Sequence, residues 1–165
     1  MVGVVTRPDR PAGRGRRDAS PAVKLYAEEH ALAVLQPTSL RRPAAVDGVA
    51  SLQPEVIVVA SYGRILPSEM LALPPKGVLN VHPSLLPRHR GPSPVVTAIL
   101  EGETVTGVTI MLMDEGMDTG PIVARQQAEV MPQETASALT ERLFRLGAEL
   151  LVETLPAWEP RPVYW

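Results

Sequence analysis

The chain has 165 residues, of which 45% are hydrophobic and 21% charged, and its net charge of -2 at pH 7 fits one globular domain rather than a disordered chain. It contains no cysteine, which excludes a disulfide framework, a thiolate zinc site and a cysteine nucleophile. No apolar run approaches the roughly 20 residues of a membrane span and no signal peptide is evident, so we expect a cytoplasmic protein without membrane contact.

The N-terminal third begins with a strand, a polar loop and a helix. Residues 2–6 are apolar and β-branched, which predicts a short buried strand. After an arginine-rich loop at residues 7–18, Ser20 as N-cap and Pro21 at the first helical position predict the start of a helix. Residues 32–37 then predict a brief second strand.

The middle of the chain continues this alternation. Residues 43–52 predict a weaker helix, because Gly48 interrupts it, and residues 55–60 predict the clearest buried strand of the chain. Pro67 marks the start of a short helix. Residues 77–82, with the sequence GVLNVH, then predict another strand.

The last third ends on a long helix. We expect a helix over residues 93–100, a strand over 106–114 with apolar residues on both faces, and a strand over 122–130. Leucines recur at helical spacing from about residue 135 to 155. Strands that alternate with helices indicate an α/β fold, with a mostly parallel sheet covered by helices on both faces and ligands at the carboxyl ends of the strands.

Candidate functional residues lie at the ends of three predicted strands. Asn80 and His82 are two residues apart, so their side chains point to the same face of a strand. An amide and an imidazolium on one face can hold the oxygen of a tetrahedral acyl-transfer intermediate. Asp118, in a glycine-flanked loop, is the best placed carboxylate to keep the histidine charged and to accept protons from an attacking amine. Tyr62 and Gly63 follow the strand predicted at residues 55–60.

These residues also have simpler interpretations. His82 can be a hydrogen-bonded core histidine, and Asp118 can belong to a turn, as can Asp114, which is a candidate turn cap. A metal site formed by His82, His89 and Asp118 matches no ligand spacing, so we expect no metal. We expect His89 and His30 at the surface.

The motifs NVHPSLLPRHRG and MDEGMDTGPI resemble those of the folate-dependent formyltransferases. With VTRPDRPAGRG, VASYGRILP and TGVTIMLMDEGMDTG, they are similar to the members of this family that formylate methionyl-tRNA. The resemblance covers almost the whole chain and implies a Rossmann-like formyltransferase fold. It also implies transfer of a formyl group from 10-formyltetrahydrofolate to the amino group of methionine carried on initiator tRNA. We expect no protein partner.

The resemblance further implies roles for individual residues. Asn80 and His82 would polarise the formyl carbonyl and stabilise the oxyanion, while Asp118 would orient His82 and relay a proton. The residues expected at the folate are Ser61, Tyr62, Gly63, Ile65, Leu66, Ser84, Leu85 and Met113. Those expected at the tRNA are Arg10, Arg14, Arg16 and Arg17, with Arg14 the leading candidate. Arginines that neutralise phosphates would make binding weaken with salt, although the same arginines can also belong to a solvated loop.

The expected organisation is a partial catalytic domain at residues 1–158 and a tail at 159–165. Family members begin with an earlier strand and carry a smaller C-terminal β-barrel domain, so we expect a catalytic core trimmed at both ends. Two alternatives to the tRNA enzyme stay open. One is a formyltransferase that acts on a sugar amine or a nucleotide, and the other is an inactive remnant that binds folate or RNA.

Overall fold

A computed structural model describes residues 1–12 and 17–159. These residues form two compact units, each built from strands and helices. The N-terminal unit comprises Met1–Glu55 and Ile65–Pro74, and the C-terminal unit comprises Val56–Arg64 and the described chain from Pro75 onward.

The N-terminal unit consists of short elements. In chain order they are β1 (Gly3–Val5), β2 (Arg10–Ala12), β3 (Arg17–Ala19), α1 (Ala22–Glu29), β4 (Ala33–Leu35), α2 (Pro43–Ala50) and α3 (Ser68–Leu71). β1 and β4 pair in parallel, and α1 lies between them in sequence and contacts both. The order β1, α1, β4 confirms the strand–helix–strand alternation that the sequence predicts for this unit.

The arginine ribbon, defined as β2 and β3, differs from the loop predicted at residues 7–18. Its two strands are antiparallel, with Arg10 opposite Ala19 and Pro11 opposite Asp18. Antiparallel pairing satisfies backbone groups whatever the side chains are, so a charged segment without alternating apolar residues can form strands that its sequence does not reveal. Pro11 is compatible with such a ribbon because a proline without an N–H suits an edge position.

The C-terminal unit contains one four-stranded sheet. Its elements in chain order are β5 (Ile57–Ala60), β6 (Val78–His82), α4 (Pro94–Leu100), β7 (Val105–Leu112), β8 (Ile122–Glu129), α5 (Ala136–Thr154) and a short 3₁₀ turn at Leu155–Ala157. The strand order is β5, β6, β7, β8. The β5–β6 pair is parallel, whereas β7 and β8 are antiparallel to their neighbours, and the loop between them is too short for a parallel crossover. The predicted α/β class is confirmed. The four-stranded sheet is mixed rather than mostly parallel, because the β6–β7 and β7–β8 pairs are antiparallel.

The core of the C-terminal unit lies between α5 and one face of the sheet. Its buried members are Leu79, Val81, Val108 and Ile110. Gly147 of α5 permits a close approach, because a Cβ added there would lie 2.6 Å from a methyl carbon of Val81. Since neighbouring residues of a strand point to opposite faces, Asn80 and His82 face away from this core. The alternation along β6 therefore separates the residues that fold the sheet from those available for chemistry.

Two helix starts show how local sequence sets the boundaries. The predicted N-cap Ser20 is wrong, because the N-cap is Pro21, whose extended backbone (ψ 140°) delays α1 to Ala22. The start of α5 agrees with the prediction, and the Thr135 hydroxyl accepts a hydrogen bond from the backbone N–H of Ala138 at 3.2 Å. None of the helices within residues 1–12 and 17–159 is long and apolar enough to cross a membrane.

Candidate active site

The structure brings the three predicted catalytic residues together within the C-terminal unit. Asn80 and His82 lie on β6, and Asp118 lies in the loop between β7 and β8. The amide Nδ2 of Asn80 donates a hydrogen bond to Oδ1 of Asp118 at 3.4 Å. Nδ1 of His82 lies 3.7 Å from the same oxygen. An amide and an imidazole therefore face one carboxylate oxygen.

The ring of His82 is held from its other side by the backbone. Its side chain is only 6% exposed, and Nε2 lies 3.0 Å from the carbonyl oxygen of His89. Because a carbonyl oxygen can only accept, Nε2 must carry the proton of this hydrogen bond. Nδ1 is then the ring nitrogen that faces Asp118. A second proton, on Nδ1, would produce an imidazolium opposite the Asp118 carboxylate.

Asp118 is oriented by both of its oxygens. While Oδ1 faces Asn80 and His82, Oδ2 accepts a hydrogen bond from the backbone N–H of Gly91 at 2.8 Å. The backbone of Asp118 is left-handed, with a φ of 53°, a conformation that aspartate tolerates better than most residues. Its side chain is 14% exposed. This carboxylate is thus fixed in direction and still reachable from solvent.

Asp114, four residues earlier, has a different role. Its Oδ1 accepts hydrogen bonds from the backbone N–H of Gly116 at 3.0 Å and from the hydroxyl of Thr119 at 2.7 Å. The interpretation of Asp114 as a turn cap is therefore confirmed. The turn also requires Gly120, because a Cβ there would lie 1.9 Å from the carbonyl oxygen of Leu112. A tight, capped turn delivers Asp118 to the site.

The motif loop, defined as residues 83–91, is fixed by buried hydrogen bonds. The hydroxyl of Thr109 on β7 donates to the carbonyl oxygen of Ser84 at 2.7 Å and accepts from the backbone N–H of Leu86 at 3.1 Å. The guanidinium of Arg125 on β8 donates to the carbonyl oxygen of Leu86 at 3.0 Å. The path of this loop determines where the His89 carbonyl and the Gly91 N–H lie, and these groups hold His82 and Asp118.

Thr109 and Arg125 support the motif loop, and neither is predicted from the sequence. The available signal for Thr109 is a hydroxyl within the apolar strand GVTIML, where the residue is fully buried. A buried hydroxyl needs a hydrogen-bond partner, which indicates a structural task. Arg125 gives no comparable signal, since β8 is rich in polar residues.

The turn after β5 carries three of the predicted folate residues. Ser61 and Gly63 both have positive φ angles, of 50° and 70°, so the chain bends sharply at the end of the strand. The hydroxyl of Tyr62 is buried and has no hydrogen-bond partner within the described chain. Burial raises the pKa of this hydroxyl, and the charge of Arg64 opposes that effect.

The other predicted folate residues occupy varied environments. Ser84 is fully buried, and its hydroxyl donates to the carbonyl oxygen of Arg88 at 2.7 Å. Leu85 and Met113 are half-buried in the C-terminal unit. Ile65 is exposed and Leu66 buried, both within the N-terminal unit. Contact between these residues and folate stays a prediction.

The residues predicted to bind tRNA are only partly described. Arg10 is an exposed residue of β2, and Arg17 belongs to β3. Arg14 and Arg16 lie outside the described residues. Their contact with RNA stays a prediction.

Residues 1–155 match the formyl transferase family. The methionyl-tRNA formyltransferase of Chloroflexus aurantiacus is 58% identical over 98% of this chain, a match that covers 54% of that protein. The chain spans about half the length of such curated relatives.

Solved structures agree on the fold. A phosphoribosylglycinamide formyltransferase from Bacillus halodurans has a TM-score of 0.73 at 30% identity, covering 82% of this chain and 75% of that one. The enzyme of that name from Anaplasma phagocytophilum has a TM-score of 0.78 at 20% identity, covering 94% and 72%, which shows the fold alone. The predicted Rossmann-like class is confirmed, and the chain belongs to the formyl transferase family.

Proposed function

We propose that this chain transfers a formyl group from 10-formyltetrahydrofolate to the amino group of methionine carried by initiator tRNA. The observation that carries the proposal is the approach of Asn80 and His82 to one oxygen of Asp118, at 3.4 and 3.7 Å. The 58% identity to a protein named methionyl-tRNA formyltransferase supports this acceptor.

The two donors indicate where the formyl oxygen would bind. Asn80 Nδ2 and His82 Nδ1 already face a single negatively charged oxygen, that of Asp118. The oxyanion of a tetrahedral intermediate needs two such donors, and each one is typically worth about 3 to 4 kcal/mol. We infer that the formyl oxygen binds beside these two nitrogens, where Asn80 Nδ2 and the Nδ1 of an imidazolium His82 can both donate to it as its charge develops.

The proton balance gives Asp118 its role. The reaction forms a bond between the amino nitrogen and the formyl carbon and breaks the bond between that carbon and folate N10. The amino group loses one proton and N10 gains one, so a proton has to move between the two nitrogens. Asp118 Oδ1, the oxygen that faces Asn80 and His82, can accept this proton from the amine and pass it on to N10, while Oδ2 stays bound to the Gly91 N–H. None of these steps uses a metal.

Substrate contacts complete the proposal. The proposed folate contacts are Ser61, Tyr62, Gly63, Ile65, Leu66, Ser84, Leu85 and Met113. The proposed tRNA contacts are Arg10, Arg14, Arg16 and Arg17. For Ile65 and Leu66, which belong to the N-terminal unit, the proposal rests on the motif resemblance alone. The match over residues 1–155 supports a catalytic domain at residues 1–158, followed by a tail.

The test is a rate measurement on the purified chain with 10-formyltetrahydrofolate and initiator methionyl-tRNA. We expect His82→Ala to lower the transfer rate at least 100-fold, because an oxyanion donor is lost. His30→Ala is the matched control, since His30 is an exposed histidine of α1's C-terminus, and it should leave the rate unchanged. A His82→Ala rate within a few fold of the unmodified chain would contradict the mechanism.

A second candidate is a nucleotide amine as acceptor, which the likeness to the Bacillus halodurans phosphoribosylglycinamide enzyme favours. Uncharged initiator tRNA distinguishes the two acceptors by competition. It should inhibit transfer only if the RNA itself is bound. An inactive remnant would instead bind folate without any product that depends on His82.

A further inference from the structure

A second cluster of ionisable side chains lies outside the proposed catalytic set. It consists of His89 in the motif loop together with Glu101 and Glu103, which follow α4. His89 is expected at the surface from the sequence, and this expectation is wrong, because its side chain is only 8% exposed. The side chain of Glu103 is also buried, with 9% of it exposed, whereas the side chain of Glu101 is 56% exposed.

The ligand-type atoms of this cluster are close to one another. One imidazole nitrogen and one carboxylate oxygen from each glutamate lie within 4.8 Å of one another. Nε2 of His89 is 3.0 Å from Oε2 of Glu103, and Nδ1 of His89 is 3.9 Å from Oε2 of Glu101. The other oxygen of Glu103 forms an ion pair with Arg88. Arg88 therefore orients Glu103 and leaves Oε2 turned towards the histidine.

The direction of the imidazole nitrogen is informative. Nε2 of His89 is buried and makes no hydrogen bond with any described residue, although Oε2 of Glu103 is only 3.0 Å away. In a simple ion pair the N–H would point at the oxygen. Here Oε2 of Glu103 does not lie along the N–H direction of Nε2. Two ligand atoms have this relation when both point at a third atom between them. A cation bound at about 2.0 to 2.2 Å from each ligand has this arrangement.

We propose that His89, Glu103 and Glu101 form a binding site for one divalent transition-metal cation of the zinc type. Imidazole nitrogen with carboxylate oxygens is a ligand set that suits such ions, and calcium or magnesium would favour oxygen ligands alone. Arg88 acts as the outer partner that fixes a ligating carboxylate. The exposed Glu101 closes the site by a side-chain rotation. This site is separate from the proposed catalytic residues and takes no part in the chemical step.

The site has one structural consequence for its neighbour. The carbonyl oxygen of His89 accepts the hydrogen bond from Nε2 of His82. A cation that holds the side chain of His89 would therefore also restrain the residue whose backbone positions His82.

The test is metal binding by the full chain, prepared without a histidine tag. Co²⁺ serves as a spectroscopic probe, and Zn²⁺ is then added in competition. We expect one equivalent of Co²⁺ to produce visible absorption bands that Zn²⁺ abolishes. Glu101→Gln and His89→Ala should each weaken binding at least tenfold. His30→Ala removes an exposed histidine outside the cluster and should bind as the unmodified chain does.

Two results would overturn the proposal. One is an unmodified chain that binds neither ion at millimolar concentration. The other is a set of variants that bind as tightly as the unmodified chain, which would mean that the ions sit elsewhere. Circular dichroism of each variant checks folding, and the exposed position of Glu101 makes Glu101→Gln informative even if His89→Ala does not fold.

Discussion

The motif loop and the arginine ribbon both carry residues proposed to act on substrate, yet they are built in different ways. The backbone of the motif loop is bound by the fully buried hydroxyl of Thr109 and by the guanidinium of Arg125, and this backbone in turn holds the proposed catalytic side chains. In the arginine ribbon, two short strands pair through their backbones, and Arg10 extends into solvent. A group that contacts a reacting atom has to be fixed in position, whereas a charge that contacts phosphates only has to be exposed to solvent.

The largest effect is expected when the proposed proton acceptor, Asp118, is replaced. We predict that Asp118→Asn lowers the formyl transfer rate about 100-fold or more, because the amide cannot accept a proton. The fold should persist, since an amide oxygen can still accept the Gly91 N–H. Single-turnover kinetics at saturating folate measure the effect.

Asp114→Asn is the control for that experiment. It makes the same substitution in the same loop, and an amide oxygen can keep both hydrogen bonds of the turn. Its rate should stay within a few fold of the unmodified chain. Equal losses in the two variants would mean that the loop is merely sensitive to charge, and the contrast between fixed and displayed groups would fail.

The next prediction addresses the support of the motif loop. We predict that Thr109→Val destabilises the chain by about 2 kcal/mol or more, because the carbonyl oxygen of Ser84 and the N–H of Leu86 lose their buried partner. Thr109→Ser keeps the hydroxyl and should recover most of this loss. Urea denaturation measures the free energy of unfolding. Because valine keeps the methyl group and lacks only the hydroxyl, a Thr109→Val chain as stable as the unmodified one would contradict the prediction.

The sequence was sufficient to bring the proposed catalytic side chains together, because two of them follow strand periodicity and the third lies in a glycine-flanked turn. Asn80 and His82 share a face of β6 by simple alternation, and Asp118 is flanked by the glycines of a turn. The supports were not predictable in the same way. The hydrogen bond from His82 ends on a carbonyl oxygen of His89, and every residue has a carbonyl oxygen. Only the path of the loop determines which one lies within reach.

Other elements escape sequence reasoning for related reasons. The arginine ribbon depends on backbone pairing between Arg10 and Ala19, which no side-chain pattern encodes. The burial of His89 follows from the carboxylates beside it, which come from a segment beyond α4. Both features arise from contacts between separate stretches of chain, whereas strand and helix periodicity is a property of one stretch.

A smaller effect is expected from a charge pair near the start of α5. Hydrogen bonds from Arg142 to Glu134, at 2.7 and 2.9 Å, lower the pKa of Glu134 from its usual 4.5. The folded state therefore favours the ionised carboxylate, and the pair stabilises the fold above pH 4.5 and loses that contribution as the pH falls through the lowered value. Because Arg142 is partly exposed, the contribution should not exceed about 1 kcal/mol.

Glu134→Gln measures this contribution. Its difference in unfolding free energy from the unmodified chain should be largest at neutral pH and should disappear in acid. Glu141→Gln, in an exposed pair with Arg145, is the control and should have little effect at any pH. A Glu134→Gln difference that persists unchanged in acid would show that the charge is not its origin.

The smallest effect is expected from a substitution in the arginine ribbon. We predict that Arg10→Ala weakens initiator tRNA binding only a few fold and leaves the maximal transfer rate unchanged, because an exposed arginine contributes charge and does not position a reacting group. If Arg10 contacts one phosphate, the slope of log affinity against log salt should fall by about 0.7 to 0.9. Filter binding at several salt concentrations measures that slope, and Arg145→Ala, an exposed arginine of α5 in the C-terminal unit, is the control. A large fall in the transfer rate at saturating tRNA would mean that Arg10 acts as a positioned group, and the distinction between fixed and displayed regions would not hold for it.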